Sequence, residues 1–533
     1  MTDRLIENPV INGPYDPPSQ HYRFDDGGIT NEIVAGRRPS EYFVPVPQTK
    51  KKRGGQLALA DTAATERIEP NPFVNEVRHA VDKWRAAGYP HVTPTTLRLL
   101  EHWADPTREN RIMFCQREAA ETAIYLTEAA AKSGQAHLTA RLTELNDQFN
   151  SGLPRVALKM ATGTGKTVVM TMLIAWQTLN KIANPQDARF TKRFLVVAPG
   201  VTIRDRLRVL QPEDPGNYYR ERDVLPADMY GPLGQAQIVT VNYHVFLPKV
   251  TKDGQGIAAV TKALLLGGGD LDADPFKESP AQVATRVARD FGLRSGEIMV
   301  INDEAHHCYQ EKPPEAPDHV AEVVDTDEKA EAKDRAFEAR VWFKGLQALQ
   351  AKLGIKTIYD LSATPFFLTG SGYGTGVLFP WVVSDFSLID AIECGIVKVP
   401  RVPVDDNTEG DQVKFRNLWD QISAELPKRV AKQAKSRDTA PQLPAQLEMA
   451  LSTLYDNYAA SFRAWEATEE AMRGTPPVFI VVCSNTTVSK LVFDWIAGFD
   501  MAVTIEGETA EQPAAGHLPL FSNVEHGEWL REP

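Results

Sequence analysis

The sequence is poor in cysteine and lacks long apolar runs. Its four cysteines are far apart and form no CxxC pair, so we expect neither a disulfide framework nor a structural zinc site. No run of about 18 apolar residues is present, which argues against a membrane span. The first residues, MTDRLIENPV, lack the apolar core of a secretory signal. These absences together predict a cytoplasmic protein with reduced thiols.

An excess of positive charge is also missing, since the net charge is −12. That balance excludes a protein that coats nucleic acid by bulk charge. It leaves room for a local basic groove, because phosphate contacts need only a few placed Lys and Arg side chains. The length of 533 residues predicts about three or four domains.

The N-terminal part of the chain contains two segments of different composition. Residues 1–70 are rich in Pro, Gly and charge, which predicts irregular chain with turns. The basic run Lys50–Arg53 within it is typical of a solvated loop, with a DNA-backbone contact as the alternative. Residues 71–150 are predicted to be mainly helical. Their apolar residues recur at helical spacing from Phe73 to Trp84, and Thr93 precedes a proline as a helix N-cap would.

Short apolar runs alternate with helical stretches over residues 151–400, which predicts an α/β domain with a mostly parallel sheet. The predicted strands are Val156–Met160, Phe194–Ala198, Gln237–Val241, Ile298–Ile301 and Lys356–Leu361, and a further run is Val478–Val482. Two polar segments, Gln310–Arg335 and Asp405–Leu443, read as surface insertions or linkers, so we assign 401–445 to a polar linker.

A glycine-rich loop follows the first predicted strand in RVALKMATGTGKTVVMTMLIAW. Glycines let backbone N–H groups close around phosphate oxygens, and the helix that follows directs its positive dipole end at the same anion. Lys166 is expected to reach the β- and γ-phosphates, and the Thr167 hydroxyl to bind Mg²⁺. Met160 stands where this motif usually begins with glycine. The candidate ATP-binding residues are Gly163, Thr164, Gly165, Lys166 and Thr167.

An acidic pair ends another predicted strand in EIMVINDEAHHCY. Ligands bind at the carboxyl ends of strands in open α/β sheets. We therefore expect Asp303 to hold Mg²⁺ and Glu304 to polarise the attacking water. The adjacent His306 and His307 lack the further ligands that a zinc site requires. In IYDLSATPFFL, the hydroxyls of Ser362 and Thr364 follow a third strand, from which they could bond to neighbouring carboxylates.

These three motifs, MATGTGKT, INDEAHH and YDLSATPFF, resemble motifs I, II and III of the superfamily 2 helicases, in order. Their residues are most similar to the same motifs in the motor (Res) subunits of type III restriction enzymes. The segments FCQREAAET at 114–122 and DFSLIDAIECGIVKVPRVP at 385–403 resemble the same group. The resemblance implies a RecA-like P-loop NTPase lobe at 151–400 and the start of a second RecA-like lobe at 446–533. It also implies ATP and Mg²⁺ as cofactors, double-stranded DNA as substrate, and a DNA methyltransferase (Mod-like) partner.

The resemblance assigns roles to further residues. Gln116 stands at the family's adenine-reading glutamine, although a plain polar residue at a helix start is an alternative. The segment 194–207 resembles motif Ia and 237–246 the next strand-end element, which implies nucleic-acid contacts by Thr202, Arg204, Thr240 and Asn242. Motifs II and III imply that His306, Ser362 and Thr364 couple ATP hydrolysis to movement. Residues 478–496 resemble motif IV, the first strand and helix of the second lobe.

The resemblance breaks off near the end of the sequence. No QxxGRxxR pattern with its arginine finger is present, and no nuclease signature is evident, so the second lobe is expected to be truncated. Three interpretations stay open: the DNA translocase of a restriction enzyme, a superfamily 2 helicase of repair or RNA metabolism, and an ATP- and DNA-binding module without turnover. The effects of duplex DNA, single-stranded DNA and RNA on ATPase activity would separate them.

Overall fold

The computed structural model describes residues 8–25, 28–44, 67–249, 277–290, 297–310, 326–368, 371–374, 376–399, 418–427, 441–468, 474–505 and 508–530. The basic run Lys50–Arg53 lies outside them. The chain divides into two units, Met1–Val399 and Pro400–Pro533. No helix among the described residues is long and apolar enough to cross a bilayer.

The N-terminal residues form two antiparallel strand pairs, which corrects the expectation of irregular chain. Strand β1 (Gln20–Asp25) pairs with β2 (Gly28–Ala35), and β3 (Glu41–Val44) pairs with β4 (Arg67–Pro70). Hydrogen bonds to residues far along the chain hold this region, among them one from the Tyr22 amide to the Glu393 carboxylate. Turn-forming residues in the sequence could not reveal such distant partners.

The helical region that follows matches its prediction. Helix α1 (Pro72–Ala86) buries the face that runs from Phe73 to Trp84. Helix α2 (Pro94–Ala104) is capped by the Thr93 hydroxyl, which accepts a hydrogen bond from the Thr96 amide at 3.1 Å. Helices α3 (Phe114–Ile124) and α4 (Ala136–Asn150) complete the region, and a π-helical turn at Tyr125–Ala129 extends α3.

A parallel sheet forms the centre of the first unit. Its strands are β5 (Arg155–Met160), β6 (Arg193–Ala198), β7 (Gln237–Asn242), β8 (Ile298–Asp303), β9 (Ile355–Ser362) and β10 (Val382–Phe386). Their order is β10-β5-β9-β8-β6-β7, and every neighbouring pair is parallel. The five predicted strands are all present. Strand β10 was not predicted, because its segment VVSDF is short and carries polar residues.

Helices cover both faces of this sheet. Alternate residues of β6 and β8 belong to different apolar clusters, as expected of a sheet buried on both sides. The insertion expected at Gln310–Arg335 is partly helical, since a long helix begins at Thr326. The helices of this α/β part are α5 (Lys166–Ala183), α6 (Val201–Arg206), α7 (Tyr218–Glu221), α8 (Tyr230–Leu233), α9 (Pro280–Asp290), α10 (Thr326–Leu353) and α11 (Leu388–Glu393).

The second unit has its own apolar core. It contains helices α12 (Leu418–Ile422), α13 (Ala445–Glu466) and α14 (Thr486–Ala497), the paired strands β11 (Gly498–Ile505) and β12 (Glu508–Ala515), and the pair β13 (Val524–Glu525) and β14 (Glu528–Trp529). Ile422 and Leu426 are buried in that core. Part of the expected polar linker at 401–445 therefore packs into this unit.

The predicted strand Val478–Val482 is not a strand in the structure. Val478, Ile480 and Val482 are 69%, 76% and 90% exposed, and no described segment pairs with them. A β-strand requires a hydrogen-bonded neighbour, which apolar composition alone cannot supply. The helix expected after it is present as α14. The described residues of this unit form antiparallel pairs and no parallel sheet, so the RecA-like second lobe is not seen there.

Candidate nucleotide-binding site

The glycine-rich loop joins β5 to α5 at the carboxyl edge of the sheet. Gly163 and Gly165 have φ values of +86° and +79°, a region that favours glycine because a Cβ would clash. The Thr164 hydroxyl is buried and donates to the Ala161 carbonyl at 2.6 Å, so its side chain holds the loop from inside. Lys166 is the first residue of α5. The P-loop, Gly163–Thr167, thus has the backbone shape that an oxyanion cradle needs.

Gln116 supports this loop directly. Its side-chain amide nitrogen donates to the Thr164 carbonyl at 2.9 Å, and its amide oxygen accepts from the Met113 amide at 3.1 Å. A Cβ at Gly165 would come within 2.3 Å of that amide nitrogen and displace it, and the φ of +79° would strain any other residue there. Gln116 is 3% exposed. The structure therefore gives it a loop-bracing contact that the sequence did not predict, and adenine recognition by Gln116 stays a prediction.

The acidic pair lies on the same sheet edge as the P-loop. Strand β8 is separated from β5 only by β9, and all three run in one direction, so their carboxyl ends meet. The Lys166 ammonium is 3.1 Å from a carboxylate oxygen of Glu304. Glu304 has a φ of +49°, uncommon for a residue with a side chain and typical of strained functional positions. The Glu304 amide donates to the Asp303 carboxylate at 3.1 Å.

The electrostatics of this pair differ from those of ordinary surface carboxylates. Burial, followed by the negative charge of Glu304, raises the pKa of Asp303 to about 6, against the lowering effects of Lys166 and Arg206. A buried carboxylate beside another carboxylate favours a bound cation, which would relieve their repulsion. Asp303 and the half-buried Thr167 are both oxygen donors, the kind that Mg²⁺ prefers.

The acidic motif contacts the third motif through His306. Its Nδ1 atom lies 2.9 Å from the Ser362 hydroxyl at the end of β9, and that hydroxyl accepts from the Thr364 amide at 3.0 Å. Burial and the neighbouring His307 lower the pKa of His306 to about 4, so its imidazole is neutral at physiological pH. The three predicted coupling residues, His306, Ser362 and Thr364, therefore form one connected group beside Glu304.

A buried polar network that the sequence did not predict joins the strands below this edge. The Asp360 carboxylate accepts hydrogen bonds from Arg155 at 2.7 Å, from Asn302 at 2.8 Å and from the Trp381 indole at 2.9 Å. Asn302 immediately precedes Asp303, and Asp360 lies two residues before Ser362. The network thus fixes the positions of β5, β8 and β9 relative to one another. Its signal in the sequence was a polar residue in or beside each apolar run: Arg155, Asn302 and Asp360.

The predicted nucleic-acid residues lie in different settings. Arg204 is exposed on α6 and pairs with Asp205 at 2.9 Å. The Asn242 side chain caps the next turn, accepting from the His244 amide at 2.7 Å. Thr240 is half-buried, and its hydroxyl has no hydrogen-bond partner among the described residues, so its contact with nucleic acid stays a prediction. The side chain of Thr202 lies outside the described part.

The residues described here contain no cluster of three or more His, Cys, Asp or Glu side chains suited to hold a metal ion. His306 and His307 stack on each other with ring centroids 4.3 Å apart, and His306 contacts a hydroxyl rather than a further ligand.

A glycine-rich loop between a parallel strand and a helix, facing an acidic pair across one sheet edge, defines a RecA-like lobe of a P-loop NTPase. Residues 127–243 match the family model described as "Type III restriction enzyme, res subunit", which confirms the resemblance seen in the motifs. The matched segment contains the P-loop and ends just after β7, before the acidic pair. The chain thus carries a helicase-like, ATP-dependent motor domain. No curated protein matches it.

Proposed function

We propose that this protein is an ATP-dependent motor that moves along double-stranded DNA as a Res-like subunit of a type III restriction enzyme. The observation that carries the proposal is the 3.1 Å contact between the Lys166 ammonium and the Glu304 carboxylate. Two motifs separated by more than a hundred residues meet there in a single site. The matched family supports DNA as the track of the motor.

In this proposal each site residue has a separate role in phosphoryl transfer. Backbone N–H groups of the P-loop bind the phosphate oxygens, and the α5 dipole favours their charge. Lys166 leaves Glu304 for the β- and γ-phosphates when nucleotide binds, which frees the Glu304 carboxylate to orient the attacking water and accept its proton. Thr167 and Asp303 would hold Mg²⁺, which neutralises charge on the transferred group. His306 and Ser362 pass the change at Glu304 to the end of β9.

Stimulation of ATPase activity by nucleic acids tests this function. We expect duplex DNA to stimulate hydrolysis by the purified chain, single-stranded DNA to stimulate it less, and RNA to have little effect. Displacement of a triplex-forming strand from duplex DNA would report translocation itself. Equal stimulation by RNA would favour a helicase of RNA metabolism instead. Nucleotide binding without turnover on any nucleic acid would favour a binding module.

We also propose a DNA methyltransferase (Mod-like) subunit as the partner that reads the recognition sequence. In this proposal the chain works in the cytoplasm, where its free cysteines stay reduced. Co-expression with a type III methyltransferase, followed by size-exclusion chromatography, tests the assembly. Elution of the two proteins as separate species would contradict it.

A further inference from the structure

The N-terminal arm, defined here as residues 8–25 and 28–44, packs against three segments that each lead to the P-loop. We propose that this arm is a positioning element that pre-organises the loop for nucleotide. The proposal rests on the proposed function, since it concerns the same site, and it gives a role to a region whose sequence indicated none.

The first connection passes through Glu393 at the end of α11. Its carbonyl accepts from the Ile11 and Asn12 amides, both at 2.9 Å. Its carboxylate accepts from the Tyr22 amide at 3.1 Å and from the Arg38 guanidinium at 2.5 Å. Glu393 is 3% exposed and receives four hydrogen bonds from the arm. Four donors from one segment, two on the Glu393 carbonyl and two on its buried carboxylate, indicate that the segment is held firmly.

The chain beyond Glu393 reaches the loop within four residues. A Cβ at Gly395 would come within 3.2 Å of Val10, so the arm packs closely on this turn. A Cβ at Gly163 would come within 3.3 Å of a Val397 methyl group. The segment from Glu393 to Val397 is thus in contact with the arm at one end and with the P-loop at the other.

The second connection passes through α3. The Phe114 amide donates to the Pro14 carbonyl at 2.9 Å, and Arg37 donates to the Glu118 carboxylate at 2.7 Å. Burial acts to raise the pKa of Glu118, but Arg37 and neighbouring arginines hold it below its usual range, so the pair is charged. Between these two contacts lies Gln116, whose amide bonds to the Thr164 carbonyl.

The third connection reaches Lys159, the residue before Met160 at the end of β5. The Ser40 hydroxyl donates to the Asp385 carboxylate at 2.7 Å, and the Lys159 ammonium donates to the other oxygen of that carboxylate at 2.8 Å. All three side chains are buried, and Asp385 and Lys159 are neighbours on β10 and β5. The arm is therefore linked, through the Asp385 carboxylate on β10, to the strand that leads into the P-loop.

These three connections have a common consequence for binding. A loop that is correctly shaped for only part of the time binds with an affinity reduced by that fraction. Loss of the arm's contacts should therefore weaken nucleotide binding, while the rate at saturating ATP changes little because bound phosphate restores the loop. This split between binding and turnover distinguishes positioning from a general loss of stability.

The test compares Arg38→Gln and Ser40→Ala with a control, Arg286→Gln. Arg286 also bonds to a carboxylate, Glu278 at 2.9 Å, but on α9, away from the arm. Titration with a fluorescent ADP analogue in Mg²⁺ gives the Kd, and steady-state ATPase assays give KM and kcat. We expect Arg38→Gln to raise Kd and KM about fivefold to thirtyfold with kcat nearly unchanged. Ser40→Ala should shift them in the same direction by less, and Arg286→Gln should lower only the melting temperature.

Wild-type affinity in both arm variants, or an equal loss in the control at a matched fall in melting temperature, would overturn the proposal. If Arg38→Gln does not fold, Ser40→Ala decides, because it removes one hydroxyl and no charge. Failure of the wild-type chain to bind nucleotide would instead refute the proposed function, so the two failures are distinguishable.

Discussion

Lys166 and Glu304 form an ion pair across one strand of the parallel sheet, with 3.1 Å between the ammonium nitrogen and the carboxylate oxygen. In the proposed function, the Lys166 ammonium leaves this carboxylate for a phosphate oxygen when nucleotide binds. We therefore expect nucleotide binding to exchange one charge pair for another.

Removal of the Lys166 charge should abolish nucleotide binding. Lys166→Ala deletes the cation that faces the β- and γ-phosphates, and we expect the Kd for ATP to rise at least about tenfold, with turnover lost. Isothermal titration with Mg²⁺ and ATP measures it. Lys192→Ala is the control, since Lys192 is a half-buried lysine whose side chain bonds to Gln235 at 3.2 Å. Near-normal ATPase activity in Lys166→Ala would contradict the assignment.

Glu304→Gln should separate binding from hydrolysis. Glutamine keeps the size of the side chain but cannot accept a proton, so we expect ATP affinity to be kept and kcat to fall about 10²- to 10⁴-fold. Single-turnover hydrolysis together with nucleotide titration measures both. A variant with greatly weakened binding and a normal rate at saturation would mean that the two carboxylates have been assigned the wrong roles.

Asp303→Asn should stabilise the chain when nucleotide and metal are absent. The pKa of Asp303 in the folded state, about 6, exceeds that of an unfolded carboxyl group, so stability falls as pH rises through about 4 to 6. Asparagine keeps the hydrogen bond from the Glu304 amide and removes this cost, on the order of 3 kcal/mol above pH 7. Melting in EDTA at pH 8 and at pH 4.5 tests it. The gain should shrink at the lower pH, and a constant difference would rule out titration of Asp303 as its cause.

His306 and Ser362 should act as one unit. His306→Ala and Ser362→Ala each break the same 2.9 Å contact, so the double variant should lose little beyond either single one. We expect basal ATPase activity to persist and stimulation by DNA to fall in all three. Translocation and ATPase assays over a DNA titration measure the coupling. Additive losses would show that the two side chains act independently.

Asp360→Asn should destabilise the first unit strongly. The change leaves the fully buried Arg155 guanidinium without its carboxylate, a loss of about 3–5 kcal/mol for a broken buried pair. Urea denaturation followed by tryptophan fluorescence measures it. Asp205→Asn, at an exposed ion pair, is the control and should change stability by less than about 1 kcal/mol. A small effect at Asp360 would mean that the network is dispensable for folding.

Much of the fold could be predicted because its signals are local. Apolar runs predicted five of the strands in the central sheet, and spacing together with Thr93 predicted α1 and α2. Strand β10 could not be predicted, since its buried Asp385 is compatible with the interior only when Lys159 and Ser40 bond to it. The prediction of a strand at Val478–Val482 was wrong for the opposite reason. It has the composition of a strand but no described neighbour to pair with.

The chemistry of the nucleotide site was determined by the sequence alone, because glycines, a lysine and adjacent carboxylates are the groups that phosphate and Mg²⁺ require, wherever they lie. The tertiary structure decided the contacts among them. Parallel strand order brought Lys166 to Glu304 and His306 to Ser362, while packing placed Gln116 against the P-loop. Contacts between residues far apart in the chain depend on which surfaces are buried together, and no local pattern records that.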